Sequence, residues 1–544
     1  MADELQKESF ESTMSDEELI DQIDAWEDES RSVYSVLLDI WRQNWEYYIG
    51  NQTGLWKIRG KQSRAIENRI FMAVETMIPI ATSRLPDIEV RPGDEDELSQ
   101  MQADNLQDIQ GYQMERVGIQ GLSEQFLRYM LLYRYGVFKP IWDKEIDDVG
   151  VIVRNPKRIR IPKFGASVDD LAYVLEDLEM SYGQILTQFG KKKADEVLKE
   201  QPKTAEFIDP KQINVNDNKV RNATYSITEV WTNDFVAWRI GSIILDKKPN
   251  PFYNSEDKSK NYFEKPKKPY IIKSLFTTEE SLIGDTDYVQ QMISIQDNIN
   301  IRKRQIEDVS SKVANPMLLI DSDTMSEEQV SGITNEAGFI LYGKDAADGN
   351  KIRFEQPGQL PNYVFLDLEG SRSAFDNIWG IHSTTRGERE GKETLGGRQL
   401  LKAADLGRID LVARQLERAL DELGGWWTQM MKMFYTEERS FSILGEDGRR
   451  FIQGFKGDQI GKNVKLRIVA GSTLPKDEIT QRQEAIELWQ NKAIGVKTLY
   501  QRLKMPNIDQ AIEDYVATQS GAIFQQGQKG QPQQPMQQPM QPQV

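Results

Sequence analysis

Few residues in this sequence have the chemistry of a catalytic or metal site. The 544 residues include no cysteine and one histidine, His382. The lack of cysteine excludes thiolate catalysis, disulfides, zinc knuckles and iron–sulfur clusters, and one histidine cannot supply a site that needs two. His382 precedes Ser383, but adjacent side chains rarely point together, and the sequence offers no third group to orient the histidine. We therefore predict no catalytic residue.

Acidic pairs and glycine pairs give equally weak signals. Asp321 and Asp323 have the oxygen chemistry of a cation site, but a chain with 85 acidic residues produces such pairs by chance. The glycine pairs at 396–397 and 424–425 lack the Lys-Ser/Thr ending of a phosphate-binding loop. The sequence therefore predicts no metal and no cofactor.

Basic residues are the remaining candidates, and their expected ligand is the phosphate of DNA. A basic triplet, 302–304, lies in a predicted helix, and three bases stand among three glutamates in the polar segment 382–396. Mixed signs can touch phosphates without gripping them. An ion pair between subunits or a solvated helix face for the triplet, and a solvated loop for the segment, remain open as alternatives. The candidates for contact with DNA are Arg302, Lys303, Arg386, Arg389 and Lys392.

The net charge is concentrated at the start of the sequence. The formal net charge is −17, and residues 1–30 hold twelve acids and one base, or −11, which leaves −6 for the other 514 residues. A nearly neutral body suits weak contact with DNA better than a tight grip. Ser15 and Glu18 have the spacing of a capping box that begins a helix. The basic run from Arg154 to Lys163 is predicted to be a solvated face.

The strongest periodicity predicts two long helices packed lengthwise. From Tyr288 to Val313 the apolar positions step alternately by four and three, interrupted at Arg302. A mean step of 3.5 residues is typical of a helix seam packed along another helix. A second seam contains Val364, Leu368, Phe375 and Ile378, and a β-rich insert separates the two. Because one thin subunit cannot bury both faces of such a pair, we predict that neighbouring copies cover the rest.

Other patterns complete the outline. Period-two patterning predicts a mixed α+β section at 137–280, and a long helix at 397–435 is predicted to kink at Gly424-Gly425. Residues 525–544 hold ten Gln and four Pro, which predicts a disordered tail.

No segment approaches the ~18 consecutive apolar residues of a membrane span, and the acidic N-terminus is unlike a signal peptide. We predict no membrane partner.

The order of these elements, together with local strings spread over about 35–500, resembles the portal proteins of tailed bacteriophages. No string is specific alone, and the resemblance rests on several in the family's order. The strings are Tyr47-Tyr48-Ile49-Gly50-Asn51-Gln52 with Trp56, Asn68-Arg69-Ile70-Phe71 with Val74, Pro86-Asp87-Ile88-Glu89-Val90-Arg91-Pro92, Ile227-Thr228-Glu229-Val230-Trp231, Asn250-Pro251-Phe252, Ile295-Gln296-Asp297-Asn298-Ile299-Asn300, and Ala470-Gly471-Ser472-Thr473-Leu474-Pro475.

The resemblance implies an α+β portal-protein fold. It is mainly helical, with an α/β wing, a two-helix stem, a β-rich clip, a long kinked wing helix and a short helical crown. The expected divisions are an acidic arm (1–30), wing (31–280), first stem helix (281–314), clip (315–359), second stem helix (360–381), channel or tunnel loop (382–396), long wing helix and wing strands (397–474), crown (475–523) and disordered Gln/Pro tail (524–544).

The resemblance also implies a function. A portal protein forms a closed ring, commonly of twelve subunits, at one capsid vertex, where double-stranded DNA passes without sequence-specific contact during packaging and ejection. The implied partners are terminase, then the head-to-tail adaptor and tail proteins, together with the major capsid protein and scaffold. The chain would act in the virion, after assembly in the host cytoplasm, and would not be an enzyme. Two alternatives remain open: another virion component, such as a collar, adaptor or capsid-associated protein, and a carboxylate-dependent nuclease or hydrolase.

Overall fold

The computed structural model describes most of the chain between residues 14 and 516. The described residues are 14–52, 63–84, 86–198, 224–253, 261, 263–278, 280–314, 316–321, 323–331, 333, 344, 351–355, 358–382, 395–444, 450–460, 465–469, 485–503, 511–512 and 515–516. The chain forms two compact units. The first comprises Met1–Glu89, Met114–Met433 and Leu466–Leu474, and the second comprises Val90–Gln113, Phe434–Lys465 and Pro475–Val544.

Helices and strands are mixed along the chain, which confirms the α+β class. The helices are α1 (Asp16–Ile49), α2 (Arg69–Ala81), α3 (Glu97–Arg116), α4 (Ile119–Tyr133), α5 (Tyr182–Val197), α6 (Tyr288–Ala314), α7 (Glu327–Ser331), α8 (Tyr363–Trp379), α9 (Leu395–Phe434) and α10 (Val496–Arg502). The strands are β1 (Ile88–Arg91), β2 (Tyr135–Asp143), β3 (Asp148–Arg154), β4 (Ile159–Arg160), β5 (Val174–Ser181), β6 (Thr224–Trp231), β7 (Phe235–Ile240), β8 (Ile243–Pro249), β9 (Ile271–Ser274), β10 (Met317–Ile320), β11 (Ile352–Glu355), β12 (Arg439–Leu444), β13 (Arg450–Phe455) and β14 (Lys465–Ile468).

An antiparallel sheet of five strands, in the order β4-β5-β6-β7-β8, organises part of the first unit. Successive side chains of a strand point to opposite faces, so Ile227 and Val230 of β6 face different clusters. Ile227 packs with Ile185 of α5, and Val230 packs with Leu19 of α1. Helices therefore cover both faces of this sheet. A second sheet of three strands has β2 between β3 and β9.

Helix α1 begins inside the predicted acidic arm. The capping box is present, since Ser15 Oγ accepts a hydrogen bond from the Glu18 amide and the Glu18 carboxylate accepts one from the Ser15 amide. From residue 16 the chain is helical, with Leu19 and Ile23 fully buried against the five-stranded sheet. The structure therefore has no boundary at residue 30. The acids on α1 are compatible with packing because they line the other sides of the helix.

The basic run from Arg154 to Lys163 corrects a sequence-based prediction. It is not simply a solvated face: Arg154 Nε lies 2.6 Å from the Glu176 carboxylate, and Arg160 bonds Asp177 and Glu27. The partners lie on β5 and α1. Sequence alone could not find them, because both are separated from the run by a turn or by more than a hundred residues.

The glycine pair of α9, where the sequence predicts a kink, lies inside the helix. The chain remains helical through Gly424 and Gly425 in the continuous segment Leu395–Phe434, and the kink stays a prediction. A β-carbon on Gly424 would overlap Leu466 of β14. The structure therefore assigns Gly424 to close packing between a helix and a strand, which a side chain would prevent.

The second unit contains the antiparallel hairpin β12–β13. An aromatic cluster supports it, with Phe441 packed on Tyr435, Phe455 and Tyr112 at centroid distances of 6.0, 6.5 and 5.5 Å. The Gln113 amide donates a 3.1 Å hydrogen bond to the Tyr435 hydroxyl. This unit therefore has an apolar core of its own.

Candidate functional site: the helix pair and the segment that follows it

Helices α6 and α8 form an antiparallel pair in the first unit. The direction follows from three cross-helix contacts. Asn298 Nδ2 donates to Ser371 Oγ at 2.8 Å, Arg302 Nε donates to Asp367 at 2.6 Å, and the rings of Tyr288 and Trp379 are in contact with their centroids 5.0 Å apart. Strands β10 and β11 pair antiparallel between the end of α6 and the start of α8. The chain therefore rises through α6, turns through a small β structure and returns through α8.

The seam of this pair agrees with the periodicity over half its length. Met292 and Ile299 of α6 are fully buried, and Val364, Leu368 and Phe375 of α8 are buried opposite them. Ile378, a predicted seam residue, is instead 46% exposed, and its neighbour Trp379 is fully buried in its place.

The far end of α6 has no such cover. Val313 is 56% exposed, and each residue from 310 to 314 is exposed. On α8, Tyr363 is 63% and Leu366 is 66% exposed. The first half of α6 is therefore buried by its own chain, whereas large apolar side chains near the β structure face outward.

Polar residues from three separate sequence strings meet beside α6. The Tyr47 hydroxyl donates to Asp297 at 2.7 Å, and the Asn300 side chain donates to Gln52 Oε1 at 2.6 Å. Gln52 is fully buried and donates to the Tyr47 carbonyl and to Asn68 Oδ1. Burial, with the Asp297 carboxylate adding to it, raises the pKa of Tyr47 above its ordinary value, so the hydroxyl is a permanent donor here.

Gln296 is the centre of this polar cluster, which we call the stem knot and define as Tyr47, Gln52, Asn68, Gln296, Asp297 and Asn300. Its Oε1 accepts from the Arg69 amide at 3.1 Å, and its Nε2 donates to the Glu67 carbonyl at 2.7 Å and to Asn300 Oδ1 at 3.2 Å. Gln296 thereby satisfies the backbone where α2 begins. The knot fixes α6 against α1 and α2.

A charged cluster adjoins the knot and includes one of the predicted DNA candidates. The Glu67 carboxylate accepts two hydrogen bonds from Arg372 of α8, and Lys303 lies 3.6 Å away. Arg69 bridges Glu67 and Asp376. Burial opposes the charge of Glu67, but the hydrogen bonds and charge of Arg372 outweigh it and hold the pKa below its ordinary range. Lys303 is thus part of a network with acids on its own chain.

Of the four other candidates for contact with DNA, one lies within the residues that the structure describes and three do not. Arg302 pairs with Asp367 of α8, and the hydrogen bond from Arg302 is the first cause of the lowered pKa of Asp367. Arg386, Arg389 and Lys392 lie outside the described residues. The sequence left open an ion pair between subunits for the triplet, whereas the structure places the Arg302 pair within one chain.

His382 has the partner that sequence analysis missed. Its ring Nδ1 lies 2.6 Å from Asp405 Oδ1, its backbone amide donates to Asp405 Oδ2 at 3.1 Å, and its Nε2 lies 3.0 Å from Asn377 Oδ1. Asp405 is buried on α9, 23 residues further along the chain. No sequence signal distinguishes it from other acids of that helix. Ser383 lies outside the described residues.

The described part of the chain offers no membrane span and no metal cluster. No helix there is long and apolar enough to cross a membrane. No group of three or more histidine or acidic side chains among the described residues could hold a metal ion.

A comparison with protein families finds a match to the second part of the chain. Residues 287–544, which begin one residue before α6, match the family described as phage P22-like portal protein. The resemblance to phage portal proteins is thereby confirmed. The match begins where the antiparallel pair begins and supports a phage portal role, that of a structural component of the virion, for this chain. A search of curated proteins finds no match.

Proposed function

We propose that this portal-family chain is the subunit of a closed ring at one capsid vertex, through which double-stranded DNA is packaged and later ejected. In this proposal α6 and α8 are the stem, residues 315–359 the clip, 382–396 the channel loop, and the flanking parts the wing and crown. Terminase would dock on the ring first, followed by the head-to-tail adaptor and tail proteins. Major capsid protein and scaffold would surround it during assembly in the host cytoplasm.

The observation that carries the ring proposal is the incomplete burial of the stem. Tyr363, Leu366 and Val313 together expose large apolar surfaces at the end of the pair nearest the β structure. Copies standing side by side would remove these surfaces from water, at about 25 cal/mol per Å² of apolar area. The two sides of one stem differ, so such contacts are heterologous, and they must close into a ring if they are not to continue as a filament.

The charge of the stem supports weak contact with DNA. Arg302 and Lys303 each have an acid of their own chain within 4 Å, so neither presents an isolated charge to a phosphate. A lumen that binds few phosphates tightly releases few counterions, and DNA can slide through it. Together with the polar segment 382–396, these residues would touch the duplex without holding it. The family is structural, and we propose no catalytic activity for the chain.

The first test is the mass and shape of the particle in solution. A ring of twelve chains of 62.6 kDa is expected to have a mass of about 750 kDa and to show a central hole when viewed end-on by electron microscopy. Mass photometry gives the subunit number directly. A monomer or a two-fold dimer at assembly concentrations would contradict the ring, and DNA cleavage or nucleotide hydrolysis by the purified chain would favour the enzyme alternative.

The second test removes the proposed channel loop. Deletion of residues 385–393 is expected to leave the mass of the ring unchanged, because the contacts that hold the stem pair together and against α2 are made by other residues. DNA packaging or retention in particles assembled with this variant is expected to fall at least tenfold, in line with the roles that loops on rigid scaffolds carry. As a control, replacement of the same nine residues by a Gly/Ser linker keeps the length of the segment. Loss of the ring itself would instead assign these residues an architectural role.

A further inference from the structure

We infer that His382, Asp405 and Arg408 form a clasp that positions the segment 383–394 by fixing its start against α9. This inference rests on the proposed function, because it concerns the segment assigned above as the channel loop. The clasp consists of described residues only. It lies between the C-terminal end of α8 and the third and fourth turns of α9.

The first half of the clasp is a two-point contact between His382 and Asp405. The backbone amide and ring Nδ1 of His382 face the two oxygens of one carboxylate, at 3.1 and 2.6 Å. A carboxylate can only accept, so the proton lies on Nδ1 and both atoms of His382 are donors. Asp405 is 3% exposed, and a buried carboxylate is retained at much lower cost when it is hydrogen-bonded in this way.

The second half fixes the end of α8. Arg408 Nη1 donates to the Asn377 carbonyl at 3.0 Å and to the Ile378 carbonyl, two groups that a helix end leaves without a helical partner. Gly380 turns the chain in the left-handed conformation, with φ of 80°. A β-carbon there would overlap the Arg408 side chain. The chain therefore leaves α8 in one direction, pressed against α9.

These contacts tie residues 23 and 31 positions apart. Asn377 joins both halves, because its side chain meets His382 and its carbonyl meets Arg408. Any shift of α8 along α9 would break several charge-assisted hydrogen bonds at once. The clasp thus makes the position where the segment starts depend on the packing of α8 on α9 rather than on the segment itself.

Asp405→Asn tests the clasp with little change in shape. The two donors of His382 face different oxygens of Asp405, and asparagine replaces one of those oxygens with an NH2 donor, so one of the two hydrogen bonds is lost. In the assembled ring, trypsin is expected to cleave after Arg386, Arg389 and Lys392 about tenfold faster than in the unchanged protein, since losing a charged hydrogen bond shifts local opening by about that factor. Mass spectrometry identifies the sites. The matched control is Asp410→Asn, which removes a carboxylate from the same helix whose partner, Arg414, is 60% exposed.

The outcomes separate the clasp from the proposed function. Cleavage at the unchanged rate, or faster cleavage spread over the whole chain, would overturn the clasp without bearing on the portal ring. Arg408→Met, with Arg414→Met as its control, provides a second route and is expected to give the same localised cleavage. DNA retention is measured on the same variants. If cleavage is localised and faster while DNA retention is unchanged, the clasp stands and the channel role of residues 382–396 fails.

Discussion

Lys139→Met is expected to lower the free energy of unfolding by about 3–5 kcal/mol, the usual cost of removing one partner from a buried ion pair. Lys139 Nζ lies 2.5 Å from Glu176 and 2.8 Å from Glu229, and all three side chains are less than a tenth exposed. Methionine has a similar length, so it leaves no large cavity. It leaves the buried Glu229 carboxylate without its cation, and it leaves Glu176 with Arg154, whose Nε lies 2.6 Å away.

The surrounding groups show why this site is sensitive. Lys139 lies on β2 of the three-stranded sheet, and its two acids lie on β5 and β6 of the five-stranded sheet. The Tyr270 hydroxyl donates to Glu176 at 2.8 Å, and the Trp231 indole donates to Glu229. The network therefore joins two sheets through charges. Loss of this network is expected to weaken the packing of the two sheets as well as the ion pair itself.

The loss of stability in Lys139→Met is expected to depend on pH, in a direction that follows from the pKa of Glu229. Burial disfavours the charge of Glu229, but Lys139 outweighs it and keeps the pKa below the ordinary 4.5. A carboxylate with a lowered folded pKa contributes stability above the unfolded pKa, and that contribution is lost as the pH falls through the folded pKa. Without Lys139, burial raises the pKa of Glu229 in the folded variant, so the folded variant takes up a proton as the pH falls. The difference in free energy of unfolding between the variant and the unchanged protein is therefore expected to become smaller between pH 7 and pH 5.

Urea unfolding at fixed protein concentration measures both effects. The control is Arg31→Met, since Arg31 pairs with Asp28 while both side chains are more than 70% exposed. That variant is expected to lose no more than about 1 kcal/mol at either pH. A Lys139→Met deficit as small as the control's would mean that the buried charges are compensated by groups other than Lys139.

Gln296→Leu is expected to have the second-largest effect, a loss of about 2–4 kcal/mol, because leucine fills the same space without replacing three hydrogen bonds. The Arg69 amide, the Glu67 carbonyl and Asn300 Oδ1 each lose a partner. Each of these groups keeps one other partner, since the Arg69 amide also bonds the Glu67 carbonyl and Asn300 Oδ1 also accepts from the Glu67 amide. The cost is therefore that of three lost hydrogen bonds, at about 0.5–1.5 kcal/mol each. Burial of the new apolar side chain offsets part of that loss.

The same variant tests the role of the stem knot in assembly. Since the knot fixes α6 against α1 and α2, its loss is expected to reduce the fraction of chains that enter rings, measured by mass photometry. Gln291→Leu is the control: it makes the same change on the same helix, at an exposed position whose described side-chain contact is with Thr286. Equal ring yields and equal free energies of unfolding for the two variants would mean that the stem knot does not fix the position of α6.

Much of the local structure could be predicted from periodicity. The steps of four and three predicted α6 over its whole length, and the capping box placed the start of α1 at the correct residue. Helical and strand repeats depend on neighbours in sequence, with periods of 3.6 and 2 residues. The sequence strings that carry the portal resemblance also supply residues that meet in the fold, which their spacing along the chain does not predict. Tyr47, Gln52, Asn68 and Gln296 come from three of them and meet in one knot.

The sequence by itself determined which segments form helices and strands, the order in which they follow, and which kinds of cysteine and histidine chemistry are excluded. Composition and short-range periodicity carry that information. Only the tertiary structure decided which charges meet. Arg302 pairs with Asp367, His382 with Asp405, and Lys139 with two glutamates. Each pair spans between 23 and 90 positions, and the chain carries 85 acids from which a partner could be chosen. The choice depends on distances that the packing of whole helices and sheets sets, which no local pattern encodes.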